Sequence, residues 1–244
     1  MIRQQYNDIS ALYDLLSEGD DGIIFFRHSL EGLLEKLPER AKILDCSCGT
    51  GNHAIWLSKL GYDVHASDIS DGMIASSREK AENEGMHIHF FQASWEELAK
   101  KTNEQFELVV CPGNSLSHAT SFDMLEDALK AIRKVTKPGG SFFFDMRNWE
   151  KTYAENLLED QEFQIKGKDG MYDVRYRYTI GGWNETGQMF VDIRPEGKGK
   201  YIHFEFDFLS IGYHQFYEAL LRAGFEQVNR EFFPGEEYYF AIAK

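Results

Sequence analysis

The first part of the chain alternates short apolar runs with segments of helical periodicity. The apolar runs predict β-strands over residues 41–46, 63–67, 87–92, 107–111 and 141–146. The amphipathic stretches between them predict helices, the clearest of which cover residues 53–60, 71–84 and 123–135. Strands that alternate with helices are typical of β-α-β units, so this part is expected to form a parallel sheet covered by helices.

The pattern changes after residue 148. Alternating polar and apolar or aromatic residues predict three antiparallel strands with one solvated face, over residues 171–180, 188–194 and 200–209. A helix and two last strands follow, over residues 212–223, 225–231 and 238–242. The predicted fold is α/β, a doubly wound, Rossmann-like sheet of seven strands with an inserted antiparallel sheet. Its predicted parts are a helical N-terminal segment (1–41), a core (42–148 and 211–244) and the insert (149–210).

Composition restricts the partners that we expect for this chain. Among 244 residues, 26 are Lys or Arg and 40 are Asp or Glu, which gives a formal net charge of −14. Phosphate binding needs clustered basic side chains, so neither nucleic acid nor an anionic membrane surface is expected. No apolar run has the length of a membrane helix, and residues 1–10 lack the apolar core of a signal peptide. Three cysteines are too few for a disulfide framework, which predicts a cytoplasmic protein.

The strongest chemical signal is a glycine-bearing turn between the first strand and the next helix, Asp45-Cys-Ser-Cys-Gly49-Thr-Gly51. Its glycines allow a ligand to approach the backbone closely, and the helix that follows offers free N–H groups to negative charge. Asp68 ends the second predicted strand, where a carboxylate can accept hydrogen bonds from both hydroxyls of a ribose. The turn and this acid together predict a nucleotide-like ligand.

Two ligands use such a turn, a dinucleotide and S-adenosylmethionine. A dinucleotide places its pyrophosphate at the turn, where the carboxylate of Asp45 would repel it. The amino-acid end of S-adenosylmethionine carries an ammonium and a sulfonium group, which a carboxylate attracts, so Asp45 favours this ligand. Two alternatives stay open, namely that Asp45 and Asp68 only cap turns, and that the protein is a nicotinamide-dependent oxidoreductase.

These motifs resemble those of the class I S-adenosylmethionine-dependent methyltransferases along most of the chain. The turn is similar to their first motif, Asp68-Ile-Ser to their ribose-binding segment, Ala93-Ser-Trp95 to their adenine-side loop, and Lys137-Pro-Gly-Gly to the turn before their fifth strand. The resemblance implies S-adenosylmethionine as the cofactor. The core residues that it predicts as cofactor ligands are Asp45, Ser47, Gly49, Gly51, Asp68, Ile69, Ser94, Trp95 and Cys111. Ser47 replaces the usual first glycine of the turn, which restricts the backbone there.

Two further segments resemble a narrower family, the glycine and glycine/sarcosine N-methyltransferases. They are Cys111-Pro-Gly-Asn114-Ser-Leu-Ser-His118 and Phe144-Asp-Met-Arg147-Asn-Trp149, which follow the fourth and fifth strands. The resemblance implies that Arg147 binds the substrate carboxylate and that Asn114 helps to position it. A guanidinium group can form two parallel hydrogen bonds to a carboxylate, which an ammonium group does less well. His118 or a nearby tyrosine is the predicted proton acceptor.

The same family also contacts its ligands from the N-terminal segment. Tyr6 and Arg27 are the corresponding cofactor candidates, and Tyr13 is predicted to face the substrate. Each tyrosine could instead be a core residue. Arg147 could likewise form a surface ion pair, with Glu150 or Asp145.

The expected function is therefore N-methylation of a small amino acid, such as glycine or sarcosine, with S-adenosylhomocysteine as the second product. The alternatives are methylation of another small metabolite that bears a carboxylate, and a catalytically silent protein that binds S-adenosylmethionine. No metal is expected, because His87 and His89 lack a third ligand in the sequence and Arg147 disfavours a cation near Asp145. The insert is expected to form part of the substrate wall or a subunit contact, and a homo-oligomer is compatible with these patterns.

Overall fold

The computed structural model describes residues 2–17, 20–167, 169–233 and 235–244. The helices that it shows there are α1 (Ile2–Ile9), α2 (Tyr13–Ser17), α3 (Asp20–Leu34), α4 (Asn52–Lys59), α5 (Asp71–Asn83), α6 (Leu98–Lys101), α7 (Phe122–Val135), α8 (Trp149–Ala154) and α9 (Tyr213–Arg222). The strands are β1 (Lys42–Asp45), β2 (Asp63–Asp68), β3 (His89–Gln92), β4 (Phe106–Cys111), β5 (Thr136–Arg147), β6 (Gln161–Gly167), β7 (Gly170–Thr179), β8 (Thr186–Pro195), β9 (Ile202–Leu209), β10 (Val228–Phe232) and β11 (Tyr238–Ala243).

The central sheet confirms the predicted fold class. Its strand order is β10-β11-β5-β4-β1-β2-β3. The pairs from β3 to β5 are parallel, whereas β11 is antiparallel to both β5 and β10. The chain runs outward from β1 through β2 to β3, then returns to the other side of β1 with β4. Such a reversal creates a crevice at the carboxyl ends of β1 and β4, where ligands of open α/β sheets bind.

The inner strands are apolar without alternation because helices cover both faces of this sheet. Phe142, Phe143 and Phe144 of β5 are all fully buried. Phe142 and Phe144 pack in the core beneath α7 and α9, and Phe143 packs in the opposite core with residues of α3, α4 and α5. Successive side chains of a strand point to opposite faces, so one apolar run supplies both cores.

Several predicted strand boundaries were wrong by two residues or more. β5 begins at Thr136, so residues 137–140 form an irregular part of that strand rather than a turn before it, with a register shift against β4. A Cβ at Gly140 would lie 3.0 Å from backbone oxygens of β4, so glycine permits this close approach. β3 begins at His89 instead of residue 87, and β10 begins at Val228 instead of residue 225, because Phe225 is buried in the core after α9.

The insert forms a separate antiparallel sheet, in the order β6-β7-β8-β9. The prediction of three strands was wrong, since β6 adds a fourth. Its residues pair with β7 from Gln161↔Tyr176 to Gly167↔Gly170. Most of β6 is exposed, because it is an edge strand with few apolar side chains, and this weakened the alternation by which the other strands were predicted. The proposed division into domains stays a prediction.

The N-terminal segment lies between the insert and the central domain. Ile9 of α1 and Met73 of α5 share a buried cluster with Val174, Val191 and Phe206 of the insert. Polar contacts complete the attachment of this segment to α5. Asn7 Oδ1 accepts hydrogen bonds from Ser70 Oγ and Gly72 N, and Lys80 Nζ lies 2.5 Å from Asp14 Oδ2. No helix in the described part of the chain has both the length and the apolar character that crossing a membrane requires.

Candidate cofactor and substrate site

The glycine turn is connected to the end of β2 by hydrogen bonds. Gly49 and Gly51 have φ angles of +51° and +89°, in the left-handed region that favours glycine. The carboxylate of Asp68 accepts hydrogen bonds from the N–H groups of Gly49 and Ser70, each at 2.9 Å. A Cβ at Gly51 would lie 2.9 Å from Cβ of Ser77, so the absence of a side chain lets α4 pack against α5. The turn is thus held in one conformation by its neighbours.

Asp45 lies below this turn with one unsatisfied oxygen. Its side chain is fully buried, Oδ1 accepts a hydrogen bond from Ser47 N at 3.2 Å, and Oδ2 has no partner. Burial raises the pKa of Asp45 to about 7 and that of Asp68 to about 6. Ionising these carboxyl groups is costly without a compensating positive charge or donor. The site therefore favours a ligand that brings positive charge and hydroxyl donors.

Three cavities follow the carboxyl edge of the sheet. The first, of about 380 Å³, runs along the turn, and Ser47, Gly49, Thr50, Asn52 and His53 contribute to its lining. The second, of about 100 Å³, lies beyond β2 and is lined in part by Asp68, Ile69, Ser94 and Trp95. The third, of about 310 Å³, lies beneath the insert, and Arg147, Trp149, Tyr176 and Tyr178 contribute to its lining. Tyr13 lines all three cavities.

The structure brings most of the predicted cofactor residues to the first two cavities. Three other predicted cofactor residues, Asp45, Gly51 and Cys111, line neither cavity. Cys111 is fully buried behind the turn, with its Sγ 3.4 Å from Ser47 Oγ. Trp95 Nε1 donates a hydrogen bond to the carbonyl oxygen of Cys46 at 3.0 Å, which fixes the indole beside the second cavity. Arg27 does not line these cavities. Its guanidinium carbon lies 5.4 Å from the ring centre of Trp56 instead.

Asp145 organises the loop that follows β4. Its two carboxylate oxygens accept hydrogen bonds from the N–H groups of Gly113 and Asn114, at 2.6 Å and 3.0 Å. Asn114 has a φ of +55°, and its Oδ1 accepts a hydrogen bond from Arg147 N at 2.9 Å. Both oxygens of Asp145 are therefore occupied by backbone donors. Within the described residues no group of three or more acidic, histidine or cysteine side chains is arranged to bind a metal ion.

Arg147 presents its guanidinium group to the third cavity. Nη2 donates a hydrogen bond to the hydroxyl of Tyr238, and the guanidinium carbon lies 4.7 Å from the ring centre of Tyr238 and 5.9 Å from that of Trp149. The alternative ion pairs are not formed. Glu150 accepts a hydrogen bond from Tyr213 N, and Asp145 binds the 113–114 loop. Among the residues that the structure describes, no carboxylate lies within ion-pair distance of Arg147.

His118 contacts both the N-terminal segment and the insert. Its Nε2 lies 2.8 Å from the hydroxyl of Tyr6, and its Nδ1 lies 2.8 Å from the carbonyl oxygen of Asp207 in β9. Burial lowers the pKa of His118 and raises that of Tyr6. Both side chains line the second and third cavities.

The insert contributes aromatic residues that sequence reasoning did not assign to the site. Tyr176 and Tyr178 of β7 and Phe206 of β9 line the third cavity. A signal was present, because Tyr176 and Tyr178 occupy alternate positions and so share one face of the strand. The pattern alone could not show which surface that face covers. The insert therefore lies beside Arg147, and its role as part of a substrate wall stays a prediction.

The chain is similar to known methyltransferases in both sequence and fold. Residues 43–140 match a family model described as a methyltransferase domain. The glycine/sarcosine N-methyltransferase of Aphanothece halophytica is 30% identical over 62% of this chain and 63% of its own length. The enzyme of the same name from Parasynechococcus marenigrum is 32% identical, over 53% of this chain and 44% of its own length. The chain thus spans about half to two thirds of these relatives.

A crystal structure of an S-adenosylmethionine-dependent methyltransferase from Clostridium acetobutylicum ATCC 824 has the same fold. Its TM-score is 0.80 at 20% identity, over 98% of both chains. Residues 43–140 thus match a methyltransferase domain, and the fold is that of S-adenosylmethionine-dependent methyltransferases. The relatives named glycine/sarcosine N-methyltransferase agree with the narrower resemblance of the motifs after β4 and β5.

Proposed function

We propose that this methyltransferase transfers the methyl group of S-adenosylmethionine to the amine nitrogen of a small amino acid, such as glycine or sarcosine. The observation that supports this substrate class is the guanidinium group of Arg147. It faces the third cavity without a carboxylate partner among the described residues, and a charged group in such a place gains from an anion. The two relatives named glycine/sarcosine N-methyltransferase support this substrate class.

The first two cavities fit the cofactor. Asp68 would accept hydrogen bonds from the ribose hydroxyls and Trp95 would flank the adenine. Ser47 and Gly49 line both cavities, so one ligand can extend along the turn. The unpartnered oxygen of Asp45 suits the positive charge at the amino-acid end. When bound, S-adenosylmethionine supplies a methyl group on a positively charged sulfur, which is already activated for transfer to an amine.

The third cavity fixes the direction of the substrate. The hydroxyl of Tyr238 and the ring of Trp149 hold the guanidinium plane of Arg147, so that its remaining N–H groups can form two parallel bonds to one carboxylate. An amino acid bound by its carboxylate in this way has its amine in a defined place. Because the methyl group needs little further activation, the protein contributes mainly alignment and exclusion of water.

The test is a panel of amines incubated with S-adenosylmethionine and analysed by mass spectrometry. The panel contains glycine, sarcosine, glycine amide and ethanolamine, so that the amine is kept while the carboxylate is removed. We expect methylated glycine or sarcosine, and far slower methylation of glycine amide and ethanolamine. Equal rates for the acid and the amide would contradict carboxylate recognition by Arg147, while leaving the methyltransferase class intact.

The size of the third cavity favours a second candidate, methylation of a larger amine that bears a carboxylate. Its volume of about 310 Å³ falls within the range for pockets that bind whole small molecules, roughly 300–1,000 Å³. This volume leaves room for a substrate side chain beside Arg147. Alanine, β-alanine and an aromatic amino acid in the same panel separate the two candidates. A protein that binds the cofactor without methylating any member would instead fit a silent binding protein.

A further inference from the structure

The second and third cavities share three lining residues, Tyr6, Tyr13 and His118. The cofactor residues Asp68 and Trp95 lie on one side of this shared wall, and Arg147 lies on the other. A methyl group passes from cofactor to substrate, so the substrate amine must come to the place where the two cavities meet. All three shared side chains carry a group that can exchange a proton.

The hydrogen bonds at this wall have a fixed direction. A carbonyl oxygen can only accept, so the contact with Asp207 requires that His118 Nδ1 carries a hydrogen. In the neutral ring Nε2 then has a free electron pair, and the hydroxyl of Tyr6 donates its hydrogen to that atom. The oxygen of Tyr6 keeps its own electron pairs, which are free to accept a hydrogen from a substrate amine.

We propose that Tyr6 and His118 form a relay that removes the proton from the ammonium group of the substrate. This inference rests on the proposed function, because an ammonium group has no electron pair and must lose a proton before it can accept a methyl group. Tyr6 contacts the amine, and His118 acts through Tyr6. The carbonyl of Asp207 in the insert holds the histidine in the required tautomer.

The proton balance of the relay is complete without a further reactant. One ammonium N–H gives its proton to Tyr6 Oη, and the electron pair of that bond stays on the nitrogen. The original hydroxyl proton of Tyr6 moves to His118 Nε2. The resulting imidazolium ring keeps its Nδ1–H bond to the Asp207 carbonyl, and the proton leaves to water after the reaction.

Other titratable groups near this wall already have hydrogen-bond or ring partners. Both oxygens of Asp68 from β2 accept backbone N–H bonds, as do both oxygens of Asp145 from β5. The side chain of Asp207 in β9 accepts a hydrogen bond from Gln188. Tyr13 from α2 packs edge to face against Tyr6, with ring centres 6.1 Å apart. Burial lowers the pKa of His118, so its ring is neutral at neutral pH and Nε2 keeps its electron pair.

The first test needs no turnover. ¹⁵N NMR of labelled histidine side chains in the cofactor-free protein reports which ring nitrogen carries hydrogen, and His118→Gln identifies the His118 signals. We expect hydrogen on Nδ1 of His118, and a change in the Nε2 shift when Tyr6→Phe removes the donor. A His118 ring with hydrogen on Nε2 would overturn the relay.

The second test is the pH dependence of kcat/KM for the amino acid that the wild type methylates. Tyr6→Phe is expected to lower kcat about 100-fold or more at saturating cofactor, with partial recovery at high pH, where the free amine forms in solution. His118→Gln should lose the low-pH limb of the profile. Tyr62→Phe is the matched control, since it removes a hydroxyl that donates to the carbonyl oxygen of Leu34 outside the three cavities, and it should keep the wild-type profile.

These measurements separate the relay from the proposed function. If the wild type methylates an amino acid, but Tyr6→Phe and His118→Gln keep its kcat and pH profile, the relay is wrong and the function stands. If the wild type methylates none of the amino acids, the function is wrong and the relay is overturned with it. In that case the NMR result still reports the hydrogen-bond direction, so the two failures are distinguishable.

Discussion

The cofactor side and the substrate side of the crevice are built in different ways. The proposed cofactor side is centred on the turn after β1 and the end of β2, within residues 45–70, and other segments complete the lining of its two cavities. Its proposed ligand groups are backbone N–H groups of the turn and the carboxylate of Asp68. The proposed substrate side has no such centre, because its lining comes from α1, α2, the loop after β4, β5, α8, the insert and β11.

This difference separates what is general from what is specific in the molecule. The cofactor side depends on local backbone geometry, which a short motif specifies. The substrate side depends on how the insert and the N-terminal segment pack over the sheet, and its chemistry is set by a few side chains such as Arg147. A change on one side should therefore alter one ligand's binding and leave the other's intact.

The largest expected effect comes from the substrate side. Arg147→Lys keeps the charge but removes the planar fork, so the amino acid is misaligned and kcat/KM should fall about 100-fold. Cofactor affinity should stay unchanged in calorimetry. Arg177→Lys is the matched control, because Arg177 pairs with Asp192 on the outer face of the insert and should show wild-type kinetics. A loss of cofactor affinity in Arg147→Lys would contradict the independence of the two sides.

The corresponding change on the cofactor side is Asp68→Ala. It removes the acceptor for the ribose hydroxyls and should weaken S-adenosylmethionine binding by about 1.5–3 kcal/mol, the range for a charge-assisted hydrogen bond. Calorimetry on the folded variant measures this loss directly, and circular dichroism checks the fold. Unchanged affinity would remove Asp68 from the binding site.

Gly51→Ala tests whether the turn is part of the rigid core. Its φ of +89° disfavours alanine, and the added Cβ would meet Ser77 at 2.9 Å, so the free energy of unfolding should fall. Gly61→Ala is the matched control, because Gly61 has a similar φ of +93° but no atom within 4 Å of the added Cβ. The difference between the variants should be about 1–3 kcal/mol in denaturant unfolding, the usual cost of overpacking. Equal losses of unfolding free energy in the two variants would mean that Ser77 moves aside without destabilising the fold.

The smallest effect is a pH dependence of cofactor affinity. Burial raises the pKa of Asp68 to about 6, and the ionised carboxylate is the better acceptor for ribose hydroxyls. Affinity should therefore rise as pH increases from 5 to about 7 and then level off, with at most about a tenfold gain per pH unit. Asp68→Asn should flatten this part of the curve, and Asp45→Asn should flatten the part near pH 7. Affinity that falls with rising pH would contradict this assignment.

The sequence could indicate which residues surround the turn because those signals are local. Asp45 and Asp68 end β1 and β2, and the order of strands and helices brings these ends together with the turn that carries Gly49. On the substrate side, the family resemblance led to Tyr13, Asn114, His118 and Arg147, all of which line the third cavity. That Tyr176 lines the same cavity as Arg147, or that the carbonyl of Asp207 contacts His118, depends on packing between segments far apart in the chain, and alternation within a strand does not encode it.

The most direct test of the central account is a crystal structure with S-adenosylhomocysteine and sarcosine bound. The account predicts the ribose at Asp68, the adenine beside Trp95 and the sarcosine carboxylate on the guanidinium group of Arg147. The sarcosine nitrogen should then lie at the wall formed by Tyr6 and His118, facing the cofactor sulfur. A carboxylate bound away from Arg147, or a nitrogen that points away from the sulfur, would contradict the account.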